Sequence, residues 1–127
     1  MIKSENTGTP KLKVAFRLNE KGNPMVIDKD SVKHYKIHVS VEETPNDVYS
    51  VNYILHPSYI NPFREERNRD GGFGFDTTTY GDYVISAELK GKKGNAIIST
   101  LVSESLEKSH QPQNPALMEA LKNIREA

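Results

Sequence analysis

The chain has 127 residues, 17 basic and 17 acidic side chains, no cysteine and a mean hydropathy of −0.65. Its length fits one domain with a single core, and its balanced charge excludes the strong basic field of a non-specific nucleic-acid binder, so direct nucleic-acid binding is not expected. Because we find no cysteine, no signal peptide and no apolar run of the ~20 residues that cross a bilayer, we expect a soluble cytoplasmic protein without disulfides or membrane association.

The N-terminal part of the chain is polar and mildly basic. Residues 1–10 are predicted to be a flexible N-terminus, and residues 1–40 hold eight Lys and Arg against four Asp and Glu. Residues 11–105 are predicted to form one folded unit, and residues 106–127 a linker and a short helix.

Apolar and polar side chains alternate along three segments, the pattern of half-buried strands. Weaker strands are predicted at residues 12–18, 25–27, 72–77 and 96–102, with Gly, Pro and Asn turn signals between strands. These short strands, without longer helical segments between them, predict an all-β fold, an immunoglobulin-like antiparallel β-sandwich with a short C-terminal helix. The expected core-facing residues are Tyr35, Ile37, Val39 and Val41, then Tyr49, Val51, Tyr53 and Leu55, then Tyr83, Ile85, Ala87 and Leu89.

The C-terminal segment changes to helical spacing. Asn114 can cap a helix that has Pro115 at its first position, and Leu117, Leu121 and Ile124 recur over about three turns. A lone helix of this length is marginal in water. We therefore expect it to dock on the sandwich, to pair with a partner, including a second copy of the chain in a homo-oligomer, or to be the start of a longer segment.

Several residues that could carry chemistry have simpler interpretations. His34 and His38 share a strand face but lie ~13 Å apart by strand rise, too far for one metal ion. The glycine-rich residues 71–74 lack the helix that follows a phosphate loop, which favours a hairpin turn. The mixed charges of residues 64–70 suit a solvated loop, or else a loop that contacts an anionic partner. Without a base–nucleophile or metal constellation, we expect no enzyme, no metal and no cofactor.

Two loops place aromatic residues just beyond strands, where core packing does not require them. Tyr59 stands beside Ser58, and Tyr80 lies about twenty residues further on. Two rings and a hydroxyl can form a slot for a flat amide group, which stacks between the rings and is hydrogen-bonded at its edge. Alternatively, both tyrosines plug the edge of the sandwich, like a tyrosine corner. The residue types leave these interpretations equally open.

In sequence, these two loops resemble the YEATS domain family. The shortness of the loops along the chain resembles the prokaryotic branch of that family. The family pattern is a strand, then L-H-x-[ST]-F-x-x-P, then G-[WY]-[GA]-[EG]-F and another strand. Tyr35 stands in the tryptophan place of the family's H-x-W strand, and the resemblance covers residues 12–101. The matching segments are Leu55-His56-Pro57-Ser58-Tyr59, Pro62, and Thr79-Tyr80-Gly81-Asp82-Tyr83.

The resemblance implies an immunoglobulin-like sandwich and a reader of acylated lysine. Tyr59 and Tyr80 would be the walls of the slot, Ser58 would bind the acyl amide, and His56 would support the loop. The implied ligand-binding residues are His56, Ser58, Tyr59, Thr79, Tyr80 and Gly81.

The predicted function is a non-enzymatic module that binds an acylated lysine, or a similar amide-bearing ligand or peptide, in a prokaryotic signalling or defence system. The expected partner is then a modified peptide or protein. The alternative is a structural adaptor that uses the sandwich and the C-terminal helix and has no small-ligand site.

Overall fold

The computed structural model describes residues 9–127 and shows two antiparallel sheets with two short helices. The predicted all-β sandwich with a C-terminal helix is therefore confirmed. Most of the predicted flexible N-terminus lies outside the described residues. The strands are β1 (Lys11–Phe16), β2 (Val26–Lys29), β3 (Val32–Glu42), β4 (Val48–Ile54), β5 (Phe63–Glu66), β6 (Phe75–Thr79), β7 (Val84–Gly91) and β8 (Gly94–Leu101), and the helices are α1 (Val102–Ser109) and α2 (Pro115–Glu126).

The first sheet consists of β1, β2, β3 and β6, with β3 at its centre. Strands β1 and β2 pair end to end along one edge of β3, and β6 pairs along the other. A two-residue turn joins β2 to β3, and both of its residues, Asp30 and Ser31, have positive φ, as a type I′ hairpin requires. The second sheet has the order β5-β4-β7-β8. Strands β5 and β6 are therefore edge strands.

The core lies between the inner faces of the two sheets. The predicted alternation is confirmed for β3 and β7, whose inward residues are buried. It is wrong at the start of β4, where the pairing with β7 shifts register between Val48 and Ser50. This β-bulge turns Tyr49 outward, 51% exposed, and buries Val48 in its place.

Residues 64–70 are not simply a solvated loop. Their first part belongs to β5, which pairs with β4 from Ile54↔Phe63 to Val51↔Glu66. Three of the four β5 residues are charged, which is common on edge strands because charge discourages further pairing.

The glycine-rich residues 71–74 do not form a hairpin turn, because β5 and β6 belong to different sheets. A short 3-10 turn, Arg69–Gly71, carries the chain from one sheet to the other. Gly72 follows with a φ of 64°, in the left-handed region that glycine adopts without strain.

Helix α1 was not predicted, and it covers the edge of β1 that does not pair with β3. Ser105 Oγ accepts a hydrogen bond from the Val14 N–H at 2.7 Å, and Ser109 Oγ donates to the Val14 carbonyl at 2.8 Å. His110 Nε2 accepts from the Phe16 N–H at 2.9 Å. Side chains of α1 and its C-cap thus satisfy backbone groups that a neighbouring strand would otherwise bond.

Helix α2 is the predicted C-terminal helix, and Asn114 caps it by accepting from the Leu117 N–H at 2.8 Å. The predicted apolar stripe of Leu117, Leu121 and Ile124 is buried in the domain's own core. Docking on the domain is therefore the observed outcome, and Met118 is the exposed large apolar residue of α2. Within residues 9–127, neither helix has the length and apolar character needed to span a membrane.

His110 makes the packing of α1 sensitive to acid. It must be neutral to accept from Phe16, and burial, with a smaller effect from Lys13, lowers the pKa of His110 below its ordinary 6.5. Between the two pKa values the unfolded chain binds more protons than the folded one. We therefore expect the free energy of unfolding to decrease as the pH falls from about 6.5 to the lowered pKa of His110 in the folded state. Urea unfolding at several pH values measures this slope.

The matched variant for this prediction is His110→Gln, whose amide oxygen can accept the same hydrogen bond and does not titrate. We expect a shallower pH dependence in the variant. Equal slopes in the two proteins would show that His110 does not cause the acid sensitivity.

Candidate functional site

A groove of about 910 Å³ opens at the end of the sandwich where β4 and β6 finish and β7 begins. This volume lies within the range of ligand sites, roughly 300–1,000 Å³. One side of the groove is the loop of residues 55–62 and strand β5. The other side is β6 with the turn of residues 80–83.

The loop of residues 55–62 is closed by its own backbone. The Leu55 N–H donates to the Pro62 carbonyl at 2.7 Å, and the Tyr59 N–H donates to the His56 carbonyl at 3.1 Å. The two prolines of the loop, Pro57 and Pro62, further restrict its conformations. These bonds and prolines restrict the loop before a ligand binds, which lowers the entropy cost of ordering its backbone on binding.

Ser58 and His56 form the polar group at the mouth of this loop. His56 Nδ1 accepts from the Ser58 N–H at 3.1 Å, which makes Nδ1 the unprotonated nitrogen of the ring. Ser58 Oγ lies 2.9 Å from the same nitrogen, within hydrogen-bond distance. A serine hydroxyl has two lone pairs and this contact uses at most one of them, so Ser58 Oγ keeps an acceptor site available. Both side chains are exposed. Ser58 can thus accept a hydrogen bond from the N–H of a ligand amide.

Tyr59 is half-buried, and its hydroxyl is bonded inside the protein. It donates to the Thr78 carbonyl at 2.6 Å and accepts from the Tyr83 hydroxyl at 3.2 Å. Its ring packs edge-on against Tyr83, with centroids 5.8 Å apart. Burial is the main cause that raises the pKa of Tyr59 and of Tyr83, so both stay neutral. Tyr59 thus combines an edge-packing role with a surface on the groove.

Tyr80 is the more open wall of the groove, 45% exposed. Its ring lies against His34 of β3, with centroids 5.2 Å apart. The preceding Thr79 is buried, and its hydroxyl donates to the Gly81 carbonyl at 2.7 Å. The Thr79 side chain therefore shapes the turn, and its hydroxyl is already engaged there.

Asp82 ties this turn to α1. Its carboxylate accepts from the Ser103 N–H at 2.9 Å, the Ser103 hydroxyl at 2.6 Å and the Tyr83 N–H at 3.1 Å. Leu101, at the N-cap of α1, makes no side-chain cap, so Asp82 satisfies a free N–H of the first turn from outside the helix.

We expect Asp82→Ala to lower the free energy of unfolding by about 1–2 kcal/mol, because it removes this cap. Asp28→Ala on exposed β2 is the matched control, with an expected change within about 0.5 kcal/mol. Urea unfolding measures both. Equal destabilisation by the two changes would contradict the assigned role of Asp82.

The structure brings all six predicted ligand-binding residues to the lining of this one groove, and whether they bind a ligand stays a prediction. Sequence reasoning missed other lining residues. Tyr83 was assigned to the core, although it is partly buried and its ring lies between His56 at 5.7 Å and Tyr59. His34 was interpreted as solvated, and Lys29 gave no signal. The last aromatic of the second loop motif was the available clue to Tyr83.

Together these features define a β-sandwich domain whose loops form an aromatic, partly polar groove at one end. The family model for the prokaryotic YEATS domain matches residues 35–101, which is more than half of the chain. The chain belongs to this family, as the sequence resemblance predicted. YEATS domains are binding modules rather than enzymes.

A solved structure supports the fold assignment. The chain is similar to the Yaf9 YEATS domain recognising an H3K122suc peptide, with a TM-score of 0.53 and 12% sequence identity. The alignment covers 94% of this chain and 98% of that chain. At this identity the similarity concerns the fold. A search of curated proteins finds no match.

Proposed function

We propose that this domain is a non-enzymatic reader that binds a peptide or protein carrying an acylated lysine, with the acyl amide in the groove. The observation that carries the proposal is Ser58 Oγ, held by His56 at the mouth of a groove that Tyr59 and Tyr80 line. Family membership supports the same class of ligand, and the Yaf9 domain of similar fold recognises an H3K122suc peptide.

An acylated lysine suits this lining because it has an apolar stem and a flat, neutral amide. The aromatic rings of Tyr59 and Tyr80 can contact the amide faces, and Ser58 can accept from its N–H. An unmodified lysine would instead bring an ammonium group, which loses its hydration on entering the groove. The groove therefore favours the modified side chain.

The adaptor alternative receives less support. Its predicted surface combined the sandwich with the C-terminal helix, and the domain's own core already covers the helix residues Leu117, Leu121 and Ile124. A partner or a second copy would have to use the sandwich or other residues of α2, of which Met118 is 58% exposed.

Titration of the ¹⁵N-labelled domain with lysine peptides tests the proposal. The panel contains acetyl-, crotonyl- and succinyl-lysine in one peptide sequence, with the unmodified peptide as control. We expect amide shifts at Ser58, Tyr59 and Tyr80 with at least one acylated peptide and smaller shifts with the control. Absence of shifts at ligand concentrations of about 1 mM, or equal shifts with the unmodified peptide, would refute acyl-lysine reading.

A further inference from the structure

The outer face of the first sheet carries most of the basic residues that the sequence concentrates in its N-terminal third. Because alternate side chains of β1 and β3 are buried, the residues between them point away from the core. Arg17 continues this face beyond β1, since its N–H bonds the Lys36 carbonyl. Lys29 belongs to it through the β2–β3 register. We call Lys11, Lys13, Arg17, Lys29 and Lys36 the basic face.

The basic face has an excess of positive charge. Two carboxylates share it, so five cations against two anions leave +3 without counting histidines, although the whole chain has a net charge of zero. Glu42 already pairs with Lys13 at 3.4 Å, and Asp76 pairs with Arg17 at 2.7 Å. Within residues 9–127, Lys11, Lys29 and Lys36 have no carboxylate within 4.0 Å.

The basic face is continuous with the groove. Lys29 and His34 line the groove and also lie on the outer face of the first sheet. The ring of His34 contacts Tyr80, the exposed wall of the groove. Lys36 is two residues further along β3 on the same face. A peptide that leaves the groove past Tyr80 therefore crosses the outer face at His34, with Lys36 two residues along β3 on one side and Lys29, which pairs with Val32, on the other.

We infer that the peptide read by this domain carries acidic residues beside its acylated lysine, and that these residues lie on the basic face. This inference rests on the proposed function and specifies its ligand. Acidic side chains complement Lys29 and Lys36, whereas basic ones are repelled. A peptide fits better than a nucleic acid, because +3 is a small charge and the carboxylates of Glu42 and Asp76 would repel a continuous phosphate chain.

Three peptides with the same central acyl-lysine test the inference, flanked by Asp and Glu, by Asn and Gln, or by Lys and Arg. We expect the acidic peptide to bind about three- to ten-fold tighter than the neutral one at low salt, and the difference to shrink above about 0.3 M salt. The basic peptide is expected to bind more weakly than the neutral one.

Charge-reversal variants test whether the preference for acidic peptides arises from the basic face. Lys36→Glu is expected to lose the acidic preference and to gain affinity for the basic peptide. Lys92→Glu is the matched control, because Lys92 is an exposed lysine in the β7–β8 turn at the opposite end of the sandwich. Thermal unfolding of both variants verifies that they are folded.

The outcomes separate this inference from the proposed function. Equal affinity for the acidic and neutral peptides, or equal effects of Lys36→Glu and Lys92→Glu, overturns the inference while acyl-lysine reading stands. Shifts at Lys29 and Lys36 with an acidic peptide that has ordinary lysine, without any dependence on acylation, support the basic face and refute acyl-lysine reading. Tighter binding of a short DNA duplex than of the acidic peptide at the same residues overturns the inference, as does no binding of any peptide.

Discussion

Replacing Tyr80 with alanine is expected to weaken binding of the acyl-lysine peptide by roughly 30-fold, the scale of an aromatic hot spot near 2 kcal/mol. The reason is that Tyr80 is the exposed wall of the groove and, within residues 9–127, packs on one aromatic ring, that of His34. Its removal deletes a stacking surface for the amide and leaves the core intact. The free energy of unfolding should therefore change by less than about 1 kcal/mol.

Tyr49→Ala is the matched control for this binding experiment. Tyr49 is 51% exposed, close to the 45% of Tyr80, and it lies at the bulge at the start of β4, away from the groove. Calorimetric titration of the wild type and both variants gives the comparison. If Tyr80→Ala binds as well as Tyr49→Ala, Tyr80 is not a wall of the binding site.

Leu106→Ala in α1 is expected to have the largest effect on stability, a loss of about 2–5 kcal/mol in the free energy of unfolding. Leu106 is fully buried in the common core. Its truncation leaves a cavity beneath a helix that also satisfies the edge of β1. A domain of this size has a total stability of about 5–15 kcal/mol, so the variant should unfold at much lower urea concentration.

Met118→Ala in α2 is the control, because Met118 is 58% exposed, and its effect should stay below about 0.5 kcal/mol. Comparing Leu106→Ala with Met118→Ala also tests whether the folded unit ends at residue 105, as the sequence predicted. If residues beyond 105 were only a linker and an appended helix, Leu106→Ala would cost no more than Met118→Ala.

The sequence predicts those strands whose two faces differ clearly in polarity. In β3, every second residue from Tyr35 to Val41 is buried, so the alternation is visible without any tertiary information. Tyr49 was misplaced because a bulge changes the side of a residue without changing the residue types. Strand β5 was missed because its charged residues do not alternate with apolar ones. Its pairing with β4 depends on the tertiary structure and leaves no local sequence signal.

Helix α1 was not predicted because the residues that make its contacts remove the usual sequence signals of a helix. Ser103 and Ser105 are buried, where a period-based prediction expects apolar residues. Their hydroxyls bond Asp82 and Val14, which are 21 and 91 residues away in the sequence. The cap of the helix also comes from Asp82 and not from Leu101, so the usual local start signal is absent.

The candidate site likewise contains some residues that the sequence could predict and others that it could not. The Ser58–His56 contact spans two residues and belongs to a continuous motif, which is why sequence reasoning could name both. The positions of His34 and Lys29 beside Tyr80 depend on how β2, β3 and β6 pair, so they follow from the register of the first sheet and not from any motif. The basic face is likewise assembled from three separate segments.

Because α1 covers the free edge of β1, it also determines where aggregation begins when the protein is partly unfolded. If α1 detaches, the N–H and carbonyl of Val14 lose Ser105 and Ser109 and become a template for strand addition by another chain. Such a state keeps most of its sheets, so it can recruit copies before it unfolds globally. Aggregation on heating or acidification is therefore expected to begin at β1, and variants that loosen α1 should aggregate sooner than equally unstable variants of the second sheet.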